Sequence, residues 1–136
     1  MPFHLTRFTI LLSLAATLHA ADETGARKPT LPDFSPKAVY ADDRRMHQGI
    51  PSIERARNGR LWATWYGGGI NEDHHNYAML ATSGDDGRSW SPLKLVIDPD
   101  GSGPVRAFDP CLWHDPQGRL WLFWSQKDPG SMHNFA

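Results

Sequence analysis

The sequence predicts an all-β protein built from antiparallel strands that repeat along the chain, and three observations predict it. First, residues 51–65 lie over residues 110–124 without a gap at one constant offset (110 − 51 = 59). Pro51 falls on Pro110, Gly59 on Gly118, Arg60-Leu61-Trp62 on Arg119-Leu120-Trp121 and Trp65 on Trp124. Second, each copy carries turn chemistry at its middle. Asn58-Gly59 favours positive φ, and Asp115-Pro116-Gln117-Gly118 presets φ at proline and reverses it at glycine. Third, the returning strand is apolar on both sides, with Leu61, Ala63 and Trp65 facing one way and Trp62 and Tyr66 the other. A sheet wetted on one face would alternate instead, so each hairpin is expected between two neighbours.

The elements follow in order. Residues 1–20 read as an export signal. His4 and Arg7 form a short polar lead, residues 8–16 an apolar run, and Ala20 the small residue at the cut. That run is too short to span a bilayer. A secreted or periplasmic chain with no membrane partner after cleavage is therefore expected. Residues 21–43, rich in proline, alanine and charge, read as an extended linker. Strands are expected at 50–56, 60–66, 77–82 and 93–97, with a Gly-rich loop at 67–76 between the second and third. Four strands in about sixty residues make a meander the size of a large β-propeller blade, and closure needs at least about four blades. Residues 44–136 are thus expected to hold blade one at about 47–98 and the start of blade two at about 106–136. The chain is read as the N-terminal part of a larger propeller, poorly stable alone, with open edges and an exposed blade face.

Composition narrows the function. A formal net charge of −1 with scattered Lys and Arg excludes the basic footprint of a nucleic-acid binder. One cysteine, Cys111, excludes an internal disulfide framework; in its strand-like setting it is expected to be a small buried hydrophobe.

Ser83-Gly84-Asp85-Asp86-Gly87-Arg88-Ser89-Trp90 falls between the third and fourth expected strands. It resembles the Asp box, the S-x-D-x-G-x-[S/T]-W turn of the sialidase (neuraminidase, BNR-repeat) superfamily. The motif is structural: Ser and Asp oxygens bond turn amides, Gly87 takes positive φ and Trp90 fills the gap to a neighbour. The resemblance runs from about Gln48 to Trp124 and implies a propeller of about six blades. Family members open the first blade with Arg-Ile-Pro, whose arginine grips the substrate carboxylate. Here Gly49-Ile50-Pro51 stands in that place, without the arginine. The resemblance also implies a tyrosine nucleophile, a glutamate partner and further arginines from later blades. The acid/base aspartate of the first-blade loop falls on Asp73, or on Glu72 beside it.

A meander sends alternate turns to opposite ends. Asn58-Gly59 and the Asp box therefore share one end, while loop 67–76 and the connection 98–108 share the other, where the resemblance puts the substrate. Glu72 and Asp73 are candidate catalytic carboxylates, since two adjacent acids can hold one protonated; the bland alternative is a solvated loop tip. Arg106, at the repeat position of His47 (106 − 47 = 59), could replace the missing arginine as an anion clamp, or could pair with Asp109 or Asp98. Gln48, His74, His75, Asn76 and Asp109 lie in the segments that reach this end and are candidate sugar contacts. No metal is expected at His74-His75, because adjacent side chains in an extended segment point apart and no third ligand follows. Arg44 and Arg45 are weaker candidates for the anion clamp, with simple solvation as the alternative, and Trp65, Trp113 and Trp124 are read as packing residues between blades. The expected activity is that of a retaining exo-glycosidase acting on a terminal acidic sugar of a glycan, with no cofactor. A non-catalytic glycan- or protein-binding propeller, and a lyase or uronic-sugar hydrolase on the same scaffold, are the alternatives.

Overall fold

In the computed structural model, residue 25 and residues 28–101 and 103–129 are described. The expected export signal lies outside them. Six strands carry the fold: β1 (Gln48–Arg55), β2 (Leu61–Gly67), β3 (Tyr77–Ser83), β4 (Leu95–Ile97), β5 (Arg106–His114) and β6 (Leu120–Lys127). The protein is all-β, with antiparallel sheets. β1 to β4 form a four-stranded meander in sequence order, and β5 and β6 form a separate hairpin. Strand β4 is shorter than expected: regular pairing starts at Leu80 opposite Leu95, with the Lys94 amide still bonded to the Leu80 carbonyl (2.7 Å) just before it.

The repeat is conformational as well as sequential. In both hairpins the ladder slips just before proline, between Gly49 and Ser52 and between Phe108 and Cys111. The residues at the slip, Ile50 and Asp109 (109 − 50 = 59), both take positive φ, 45° and 46°. Each is a β-bulge, which bends its strand and re-aims the side chains that precede it. The turns match too, with Gly59 at φ 85° and Gly118 at φ 83°. In each, two backbone bonds close the turn: the Ala56 amide donates to the Arg60 carbonyl and the Gly59 amide to the Ala56 carbonyl, and in the second copy the Asp115 amide donates to the Arg119 carbonyl and the Gly118 amide to the Asp115 carbonyl.

The two sheets stack face to face. On the first sheet, Trp62, Ala78, Leu80, Leu95 and Ile97 pack against Leu112, Leu120, Leu122 and Trp124 of the second. Full burial of a side chain of this kind contributes about 1.5–3 kcal/mol, so this contact is the main reason the hairpin stays on the meander. Polar bonds fix the register: the Leu112 amide donates to Ser52 Oγ (3.1 Å), His114 Nδ1 meets Glu54 (3.2 Å), and Arg57 donates to the Pro116 carbonyl (2.6 Å).

Two expectations change here. Residues 28–45 are not a free linker: Asp33 pairs with Val96 at the sheet edge, and Tyr40 packs edge-on against Tyr77 (4.8 Å). Arg45 is likewise anchored, by bonds to the Tyr40 carbonyl, Asp42 and Gln48. Cys111 is exposed, because its face of the second hairpin has no layer over it.

Candidate functional site

The two ends of the stack differ in chemistry. At one end sit the turns. In the Asp box, Ser83 Oγ accepts from the Gly87 amide (2.9 Å), and Asp85 accepts from the Ser89 amide (2.9 Å) and hydroxyl (2.5 Å). Those Ser89 bonds hold the Asp85 carboxyl down at about 2. The turn is fully occupied with itself, as its residues predict. Trp90 remains half exposed beside it. Arg55 ties the Asp box to the neighbouring turn through Asp86 (2.6 Å) and the Gly59 carbonyl (3.2 Å).

The opposite end collects the titratable groups. Loop 67–76 is folded by two of its own polar residues. Buried Asn76 donates to the carbonyls of Gly68 and Asn71 (2.9 Å each) and accepts the Asp73 amide (3.0 Å). Asp73 accepts the His75 amide (2.9 Å). Burial raises the Asp73 pKa, but the amides of His75, Ile70 and Asn71 outweigh it, so its carboxyl lies below the usual range. Asp73 is thus spent on loop structure.

Glu72 has a different partner. The Tyr66 hydroxyl, at the end of β2, donates to Glu72 Oε1 at 2.5 Å. Tyr66 is almost fully buried. Its pKa is pushed up to about 12, first by burial, then by the Glu72 hydrogen bond and charge and by Asp109, with Arg106 opposing. A Cβ added at Gly49 would lie 3.2 Å from the Tyr66 hydroxyl and 3.5 Å from His47 Nε2. A side chain at Gly49 would therefore press on the Tyr66 hydroxyl, which would have to give by a few tenths of an ångström.

Arg106 reaches the same end from the start of β5. Its guanidinium lies over the Phe108 ring (4.1 Å) and donates to Asn76 Oδ1 at 3.4 Å. Among the described residues it enters no ion pair, with Asp109, Asp98 or any other acid. Its Nε is buried without a partner, and so is Nε2 of His47, its counterpart in the repeat. Buried polar atoms without a partner are rare in folded proteins, which singles these two out.

Glu72, Asp73, His74, Arg106 and Lys127 line one open cleft of about 440 Å³. Of the candidate sugar contacts, His74 is on this cleft, whereas His75 lines a second cavity with Tyr40, Tyr77 and Asp98. The two rings do not point apart as an extended segment would require. The loop turns here, and their centroids are 3.9 Å apart. Asn76 is a buried clasp that also holds Arg106, and Asp109 sits exposed on its bulge. Gln48 is turned away, accepting from Trp65 Nε1 (2.8 Å) and Arg45.

Sequence reasoning missed Tyr66 and the ring of His47. In β2, Tyr66 reads as one more core aromatic; the available signal was a polar tip directly before a glycine run. Among the described residues no group of three or more ligating side chains could hold a metal ion, and no helix is long and apolar enough to cross a membrane. No protein-family model, curated protein or solved structure matches this chain.

Proposed function

We propose that the loop end of the stack is the substrate end of a secreted, sialidase-like β-propeller, an exo-glycosidase that releases a terminal acidic sugar from a glycan. The observation that supports it best is a carboxylate fixed by a buried phenol, Glu72 on Tyr66, sharing a cleft with a guanidinium, Arg106, that enters no ion pair. Arg106 grips the sugar carboxylate with its planar fork and takes over the role of the arginine absent at Gly49. Glu72, with Oε1 held, presents its other oxygen to the glycosidic oxygen; in its protonated form it gives that proton to the leaving oxygen as the bond to the sugar breaks, and it takes a proton back from the water that completes hydrolysis. Tyr66 is a positioning residue: burial and the charges of Glu72 and Asp109 keep it a neutral phenol, which makes it a poor nucleophile.

Glycine at position 49, where the resemblance expects an arginine, favours a second reading, a binding propeller in which Arg106 recognises the acidic sugar and no bond is broken. Release of 4-methylumbelliferone from sialoside, glucuronide and neutral conjugates separates the two. On the enzyme reading, Glu72→Gln lowers turnover about 10²–10⁴-fold, Tyr66→Phe shifts the pH profile, and Asp73→Asn weakens the folded loop without removing the acid. Binding of the acidic sugars without turnover in the parent protein would replace the enzyme by the binding module.

A further inference from the structure

The two outer faces of the stack are each the repeat equivalent of a face already packed inside it. Inside, the face of the first sheet bearing Ser52, Glu54, Trp62 and Thr64 receives the face of the hairpin bearing Leu112, His114, Leu120 and Leu122. Adding 59 to the first set gives Cys111, Trp113, Trp121 and Phe123, which form the outer face of the hairpin. Subtracting 59 from the second set gives Ile53, Arg55, Leu61 and Ala63, on the outer face of the meander. One surface therefore repeats the donor side of the internal contact and the other repeats the acceptor side.

Both surfaces are apolar and partly open, the second bounded by residues 36–45, whose Arg45 guanidinium lies over the Trp65 ring (5.8 Å). Trp113, Trp121 and Phe123 are 49%, 42% and 47% exposed, and the rings of Trp121 and Phe123 are stacked nearly parallel (12°) at 6.3 Å. On the far side, Ile53 is 59% exposed. Beside it Ala63, Trp65, Ala81 and Trp90 floor a groove of about 710 Å³. Aromatic clusters of this kind are uncommon on the surface of a monomer and mark a contact.

We infer that the Trp113/Trp121/Phe123 face of one molecule docks on the Ile53/Ala63/Trp65 face of a second copy of this chain, continuing head to tail the stacking seen between its two sheets. The contact joins two different patches, so it is heterologous: it grows into a ring or a longer stack and does not stop at a two-fold dimer. It rests on the propeller reading in one respect, that blades stack face to face, and not on the proposed activity, because neither face carries the cleft residues.

Sedimentation velocity of the full chain across a wide range of concentration tests it. The parent protein is expected to shift to larger species as concentration rises. Phe123→Glu, which blocks one face, and Ile53→Glu, which blocks the other, are each expected to lose that shift. Their equimolar mixture is expected to form a capped one-to-one dimer, since each variant retains the face its partner lacks. A parent that stays monomeric throughout would overturn the inference, as would an associating parent whose two variants fail to pair. The unmodified chain gives a second readout that does not depend on the folding of either variant. Alkylation of exposed Cys111 under reducing conditions is expected to slow as concentration rises, and an unchanged rate would contradict docking at its face.

Discussion

Single carboxylates set how this protein responds to pH, and they pull in opposite directions. Asp98 is raised to about 6, first by burial, with the Asp100 charge adding and the Tyr40 hydrogen bond (2.9 Å) opposing. Its folded pKa lies above the ordinary value of about 3.9. Its contribution to stability is therefore complete below about pH 4 and is lost as pH rises through its folded value. Asp115 behaves in reverse. Burial raises it, but the Arg119 amide, the Trp121 ring N–H and the Arg119 guanidinium together hold it well below the carboxylate range. Its contribution is present above about pH 4 and is lost as pH falls below that. Urea midpoints measured against pH should show Asp98→Asn gaining on the parent between about pH 4 and 7. Asp115→Asn should flatten the acid limb and lower the midpoint at neutral pH. An Asp98→Asn curve that tracks the parent over the whole range would contradict this assignment.

At the scale of the element, the hairpin is the unit that the chain copies. Gly59 and Gly118 sit at the same turn position with φ 85° and 83°, and a Cβ at either meets nothing within 4 Å. Alanine at each should therefore cost only the left-handed conformation, about 1–2 kcal/mol, and equally in the two copies by thermal or chemical denaturation. Gly49→Ala differs, because its Cβ presses on the Tyr66 hydroxyl that holds Glu72. It should disturb the cleft more than the fold. These turns, and the Asp box, were legible in the sequence because their chemistry is local: Ser, Asp, Asn and Gly oxygens and φ values act within a few residues. The bulges at Ile50 and Asp109 were not. An isoleucine at positive φ contradicts its own preference, and only pairing with the next strand imposes it. The turned-away amide of Gln48 and the meeting of His74 with His75 were hidden for the same reason, since both follow from how the chain bends rather than from residue type.

For the whole molecule, counting turns along a meander was enough to place loop 67–76 and Arg106 at one end, opposite the Asp box. Which carboxylate faces the cleft was beyond that count. It depends on Asn76 folding the loop so that Asp73 meets backbone amides and Glu72 meets Tyr66. The exposure of Cys111 and Trp113 was also illegible, because a strand apolar on both faces does not say which face is covered. In the function proposed above, Arg106, whose Nε is buried without a partner, anchors an acidic sugar beside Glu72. The most direct measurement follows the Arg106 Nε–H resonance of isotope-labelled protein while N-acetylneuraminic acid, glucuronic acid or a neutral sugar is added. A saturable shift of that resonance is expected with an acidic sugar, little with the neutral one, and loss of binding in Arg106→Gln. A resonance unmoved by every acidic sugar, or moved equally by the neutral one, would contradict it.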